Sequence, residues 1–311
     1  MTFESPTSPS SSHGRADLLD PAALRELGNM ELITRRVVEG FLLGLHRSPH
    51  RGFSAEFAEL RAYRPGDDLR HVDWRMYGRS DRFYVKRYQE ETNLRAYILL
   101  DLSRSMDWSS DPDRLPTKSW YGAHLAAALA FILIRQGDQA GLVAFDEQIR
   151  ERIAPRGGRR QLRTLLSTLS SLKAGGGTAA DQALRKTATG LRKKGLVILL
   201  SDLLLDPEPT RQALHFLRHR GHEVAVFHLL DPGERDLPAG GAVRFYDPET
   251  DEELGVSVPD IRSEYRQAVK EAIEDWRHSL GPQGIEYTVL STDAPFSSAL
   301  RAYLKKRERL G

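Results

Sequence analysis

The chain of 311 residues contains no cysteine, which excludes disulfides, thiolate metal sites and cysteine nucleophiles. Neither charge sign is in excess, because 45 lysines and arginines stand against 43 aspartates and glutamates. This balance gives no reason to expect nucleic acid or an anionic membrane as a partner. Long hydrophobic runs are also missing: the first twenty residues hold no signal-peptide core, and the most apolar helical segment, at 125–134, is too short to cross a bilayer. We therefore expect a soluble, cytoplasmic protein without a membrane span.

The chain divides by composition into a tail, an N-terminal segment and a larger domain. Residues 1–16 are rich in Ser and Pro and are predicted to be a disordered tail. Residues 17–94 are predicted to form helices followed by a β-hairpin. Across 95–311, apolar runs alternate with helical patterns, which predicts βαβ units. The predicted fold class is therefore α/β, a doubly wound, mostly parallel sheet flanked by helices, with a small β insertion near 240–260.

An apolar run at 97–100 lies at the centre of this pattern and is followed at once by polar side chains. Four apolar residues without polar alternation predict a strand that is covered on both faces. Asp101, Ser103 and Ser105 come next, spaced by two residues. In an extended segment this spacing sends all three side chains to the same side. One carboxylate and two hydroxyls are therefore expected to converge at the end of this strand.

Two later segments are expected to complete a site at the same edge of the sheet. A second apolar run at 196–200 ends in Asp202, and a glycine-rich loop at 175–177 delivers Thr178 ahead of a helical pattern. In open α/β sheets the carboxyl ends of the strands form the ligand-binding crevice. Three hydroxyls with two carboxylates suit Mg²⁺, with Mn²⁺ or Ca²⁺ as alternatives. The candidate metal ligands are Asp101, Ser103, Ser105, Thr178 and Asp202.

These five residues resemble, position by position, the metal-ion-dependent adhesion site of the von Willebrand factor A superfamily. Upstream, Tyr63-Arg64-Pro65-Gly66-Asp67-Asp68-x-Arg70-x-Val72-Asp73-Trp74 resembles the signature of the bacterial family called domain of unknown function 58. The resemblance implies a von Willebrand A-like, Rossmann-like domain behind an N-terminal helical and hairpin extension. It also implies that a partner's acidic side chain takes the open position of the metal.

Members of this family are commonly encoded beside MoxR-type AAA+ ATPases, so the resemblance implies an adaptor that links such an ATPase to a client protein. The predicted function is a metal-dependent protein–protein interaction module, in which the three hydroxyls bind the metal directly. The two carboxylates hold it directly or through waters. No catalytic residue is predicted, and the chain is not expected to be an enzyme.

An alternative function and the role of one charged cluster stay open at this point. A magnesium-dependent, phosphatase-like hydrolase also uses an acid at the end of the first strand, although its general acid would fall at Ser103. Separately, the charged cluster at 61–75 has three interpretations: a structural salt-bridge and capping network, a docking surface for another protein, or a group of catalytic carboxylates. Its charged residues are Arg61, Arg64, Asp67, Asp68, Arg70, Asp73 and Arg75.

Overall fold

A computed structural model describes residues 21, 29–45, 60–62, 78, 83–86, 94–175, 180–237, 242–246 and 253–308. The strands are β1 (Leu60–Ala62), β2 (Tyr84–Lys86), β3 (Arg95–Asp101), β4 (Gln139–Phe145), β5 (Ile149–Arg156), β6 (Leu196–Ser201), β7 (Glu223–Leu230), β8 (Ala242–Tyr246), β9 (Glu253–Ser257) and β10 (Glu286–Ser291). The α-helices are α1 (Met30–Leu45), α2 (Lys118–Arg135), α3 (Gly158–Ser171), α4 (Ala180–Gly190), α5 (Pro207–His219), α6 (Pro232–Arg235), α7 (Val258–Leu280) and α8 (Phe296–Glu308). The predicted tail, and the 61–75 cluster beyond residue 62, lie outside the described residues.

Six strands form one sheet in the order β10-β7-β6-β3-β4-β5, and only the edge strand β5 runs antiparallel to its neighbour. The chain therefore starts at the centre with β3, moves outward to β5, and then returns to the other side of β3 with β6. This order is that of a doubly wound sheet, whose direction reverses between β3 and β6. The predicted fold class is confirmed.

The sheet is buried on both faces, which explains why β3 reads as an uninterrupted apolar run. Ile98 and Leu100 belong to the core beneath α1, α2, α3 and α8, whereas Tyr97 and Leu99 belong to the core beneath α4, α5 and α7. Successive side chains leave opposite faces of a strand, so each face of β3 needs its own apolar partners. Helix α2 is apolar nearly all round because it lies between this sheet and α1.

Two small antiparallel pairs complete the described strands. β1 pairs with β2 in a compact unit of its own at 46–93, and β8 pairs with β9 where the sequence predicts a β insertion. Helix α1 belongs to the same compact unit as the six-stranded sheet. In the part of the chain that the structure describes, no helix combines the length and apolar character needed to cross a bilayer.

Gly195 allows β6 to lie directly beside β3. A Cβ atom at this position would overlap the carbonyl oxygen of Arg95, at the start of β3. From there the two strands stay in register, with Ala96 opposite Leu196 and Leu100 opposite Leu200. The absence of a side chain at one residue thus lets the amino ends of the two central strands lie next to each other.

We predict that Gly195→Ala lowers the free energy of unfolding by about 2–3 kcal/mol, because the backbones of β3 and β6 must separate to admit the methyl group. Gly281→Ala is the matched control, since Gly281 has helical φ and ψ and open space around its Cα. It should change stability by less than about 1 kcal/mol. Urea unfolding of both variants checks the prediction, and equal stability of the two variants would contradict it.

Candidate functional site

The carboxyl ends of β3 and β6 bring Asp101 and Asp202 together at the point where the sheet reverses direction. Asp101 is the last residue of β3, and its side chain is fully buried. One carboxylate oxygen accepts a hydrogen bond from the Ser103 amide at 2.8 Å, and the other accepts from the Ser201 hydroxyl at 2.6 Å. Asp202 follows Ser201 and is also buried. Two carboxylates therefore share a space that water barely reaches.

Ser103 and Ser105 place their hydroxyls side by side, with the two Oγ atoms 3.1 Å apart. The predicted extended conformation does not continue through both residues, because residues 104–107 form a 3-10 helix. The Met106 amide donates to the Ser103 carbonyl at 3.0 Å, and the Met106 side chain is buried in the core. The end of the strand and this turn together, and not strand alternation alone, bring the two hydroxyls into contact.

A buried lysine contacts this site, and the sequence analysis did not single it out. The Lys118 ammonium lies 2.8 Å from Oδ2 of Asp202 and also pairs with Glu234. Its side chain is fully buried. Burial disfavours the charged form, yet the two carboxylates hold the pKa of Lys118 above its usual value, so the lysine stays protonated. Asp202 Oδ1 accepts from the Leu204 amide at 3.1 Å, so protein donors contact both oxygens of Asp202.

The turn after β7 holds Glu234 in place. Asp231 and Glu234 form a capping box at the start of α6, in which Glu234 accepts from the Asp231 amide at 2.9 Å. Asp231 also accepts from the Ser110 amide at 3.2 Å, which joins this turn to the loop after β3. Nearby, burial lowers the pKa of His228 to about 4, so this imidazole is neutral at physiological pH. The site is thus built from loops that follow three adjacent strands.

The charges of the site fit a hard divalent cation. Burial, and then the nearby charge of Asp202, raise the pKa of Asp101 to about 6, which shows how poorly the fold by itself compensates this carboxylate. Lys118 pairs with Asp202 and Glu234, whereas Asp101 interacts with Ser103, Ser201 and the like-charged Asp202, so carboxylates outnumber the ammonium three to one. Among the described residues, no three His, Asp or Glu side chains are arranged to hold a metal, so a metal here depends on hydroxyl ligands as well.

The structure brings together four of the five predicted ligands: Asp101, Ser103, Ser105 and Asp202. Thr178 lies outside the described residues. Sequence reasoning missed Ser201, Lys118 and Glu234, which contact the predicted carboxylates. One signal for Lys118 was available, because a positive charge in the first turn of a helix opposes the helix dipole. Lys118 begins an otherwise apolar helix, and at this position only a specific carboxylate partner would favour a lysine.

We predict that Lys118→Met lowers the free energy of unfolding by about 3–5 kcal/mol, because it leaves the buried Asp202 carboxylate and the partly buried Glu234 carboxylate without a counter-charge. Lys270→Met is the control: Lys270 is exposed on α7, and its replacement should change stability by less than about 0.5 kcal/mol. Urea unfolding in a chelator at neutral pH measures both. Similar stabilities for the two variants would contradict the structural role of the ion pair.

A second prediction concerns pH. The folded protein keeps a proton on Asp101 up to a pKa of about 6, whereas the unfolded chain releases it near 3.8. Between these values the folded state binds more protons, so this group's contribution to stability falls as pH rises. Asp101→Asn removes the effect. In a chelator, the stability of this variant relative to wild type should therefore rise by about 2 kcal/mol between pH 4 and pH 7. A constant or falling difference in urea unfolding would refute this.

Comparisons with known proteins agree with the predicted family. The sequence pattern of the family described as "Protein of unknown function DUF58" matches residues 59–275. The uncharacterized protein Rv1480 of Mycobacterium tuberculosis is 27% identical over 299 residues, which cover 95% of this chain and 93% of the relative. The uncharacterized protein Mb1516 of Mycobacterium bovis matches to the same extent.

Two solved structures similar to this chain have TM-scores below 0.5. The conserved hypothetical protein BatB from Bacteroides thetaiotaomicron has a TM-score of 0.46 at 15% identity, over 70% of this chain and 99% of BatB. The SpRpn10 VWA domain has a TM-score of 0.36 at 10% identity, over 67% of this chain and 94% of that domain. The family match itself covers most of the chain, including both central strands and every residue of the site, and on that match the chain belongs to the DUF58 family.

Proposed function

We propose that this protein is a metal-dependent protein–protein interaction module. The proposal rests on one observation. The Ser103 and Ser105 hydroxyls lie 3.1 Å apart beside the Asp101 carboxylate, whose charge is buried and poorly compensated by the fold. This group lies where the strand order of the sheet reverses direction. Ser103, Ser105 and Thr178 would hold Mg²⁺ directly, with Mn²⁺ or Ca²⁺ as alternatives. Asp101 and Asp202 would hold it directly or through waters. All of these donors are oxygen atoms, as Mg²⁺ prefers.

The neutral hydroxyls decide what such a site can bind. A metal held by hydroxyls and only two carboxylates keeps appreciable positive charge, and a carboxylate from another protein can then complete its ligand shell. Lys118 neutralises part of the local negative charge and so reduces repulsion against that incoming group. We propose that the chain's own residues position the metal and orient the partner's acidic side chain, with no bond made or broken.

We further propose that the partner is a MoxR-type AAA+ ATPase, a client protein, or both, and that the chain acts as an adaptor between them. This part of the proposal rests on the family resemblance and on an acceptor site for an acidic side chain. The hydrolase alternative is not carried forward, because position 103 holds a serine where that chemistry needs a general acid.

The metal is tested first, by titrating the purified protein with Mg²⁺ in a calorimeter. We expect saturable binding by wild type and a loss of affinity of about tenfold or more in Ser103→Ala/Ser105→Ala, which removes two donors without changing the charge. Ser167→Ala, an exposed serine on α3, is the matched control and should bind as wild type does. Equal binding by all three proteins, or no binding by wild type, would rule out this site.

The partner is tested with a purified MoxR-type ATPase from the same organism. Immobilised wild-type protein should retain the ATPase in Mg²⁺ and release it in a chelator. The double serine variant should retain it in neither condition. If the ATPase is retained equally in Mg²⁺ and in a chelator, and equally by wild type and the double serine variant, any contact with the ATPase lies elsewhere on the chain.

A further inference from the structure

Two large apolar side chains are exposed on the loops that build the site. Leu204 is 60% exposed and lies two residues after Asp202, while Trp108 is 44% exposed and follows the 3-10 helix after β3. Among the described residues, the other exposed large apolar side chains, Leu32, Phe83 and Phe216, all have lower exposed fractions. A single exposed leucine needs no explanation. Two such side chains on the loops of one site form an exposed apolar surface of the kind that contacts another protein.

Both side chains are tied to the same buried ion pair. The Trp108 ring centre lies 6.0 Å from the Lys118 ammonium, which lies 2.8 Å from Asp202 Oδ2. The other oxygen of Asp202 accepts from the Leu204 amide at 3.1 Å. Trp108 and Leu204 therefore each lie close to the Lys118–Asp202 pair, and Asp202 is itself a candidate metal ligand.

The backbone before Leu204 adopts an unfavourable conformation that keeps this side chain in water. Leu203 has a φ of 55°, the only positive φ of a residue other than glycine in the part of the chain that the structure describes. Its amide donates to Ser201 Oγ at 3.0 Å. Leu203 and Leu205 are both buried, and Leu204 between them is turned outward. Strain of this kind concentrates at sites where a protein contacts its ligand or partner.

The same two loops carry an excess of negative charge. Their exposed or half-exposed carboxylates outnumber their exposed guanidiniums by four to two. The carboxylates are Asp107, Asp111, Asp113 and Asp206, and the guanidiniums are Arg104 and Arg114. Arg114 already pairs with Asp111. A complementary partner therefore carries Lys or Arg around its apolar side chains.

From these observations we propose that Trp108 and Leu204 form the docking surface for a protein segment in which apolar side chains alternate with Lys or Arg. This inference deepens the proposed function and rests on it, because the same segment would supply the acidic side chain for the metal. Aromatic and aliphatic anchors at the centre of an interface supply most of its binding energy, so these two residues would decide which partner binds.

The test selects peptides from a random phage-displayed library on the full-length protein in Mg²⁺. We expect enrichment of Leu, Ile, Phe or Trp next to Lys or Arg, with one Asp or Glu. The best peptide is then measured by fluorescence anisotropy. Leu204→Ala and Trp108→Ala should each weaken it about tenfold. The matched controls are Leu32→Ala and Phe216→Ala, which truncate exposed apolar residues on α1 and α5 and should leave affinity within about twofold.

The outcomes separate this inference from the function on which it rests. The docking surface is refuted if Leu204→Ala and Trp108→Ala bind the peptide as wild type does. It is also refuted if no peptide is enriched, or if the enriched peptides lack Lys and Arg. If binding depends on Trp108 and Leu204 but not on Mg²⁺ or on the peptide's carboxylate, the docking surface stands and the metal-dependent function fails. Unchanged Mg²⁺ affinity in Leu204→Ala would show that the variant keeps the candidate metal site intact.

Discussion

The Lys118 ammonium, buried between Asp202 and Glu234, is the interaction on which the arrangement of the site depends. It links the first turn of α2 to the loop after β6 and to the turn after β7. Three carboxylates at this edge would otherwise repel one another in a medium that screens charge poorly. One fixed cation reduces that repulsion but does not remove it: burial raises the pKa of Asp101 most, and the charge of Asp202 raises it further. The remaining negative charge is what makes the edge suitable for a divalent cation.

This concentration of charge is tolerable because the rest of the sheet is apolar and closely packed. β3 is covered on both faces, and Gly195 lets β6 lie against it. The strands therefore have little freedom to separate the carboxylates at their ends. Stability and function oppose each other at this edge, because the buried Asp101 carboxylate that prepares the site for a cation disfavours the folded state when it is ionised. The strained Leu203 is a second example of the same opposition.

Sequence reasoning identified the central strand and its acid correctly, because a short, unbroken apolar run is typical of a strand buried on both faces. It was wrong about the conformation after Ser103, since burial of Met106 favours a 3-10 helix over continued extension. It also missed Lys118. The lysine and its partners are 84 and 116 residues apart in the chain, and no local periodicity relates positions so distant.

By itself, the sequence determined the alternation of strands and helices, the doubly wound class, the family, and the acids and hydroxyls that end the central strands. These features follow from local hydrophobic period and from short motifs, which are properties of neighbouring residues. Only the tertiary structure decided that Lys118 pairs with Asp202 and Glu234, that Ser201 donates to Asp101, and that Leu204 faces solvent beside Trp108. Those contacts depend on which strand ends lie side by side, and strand order is set by packing of the whole sheet and not by any one segment.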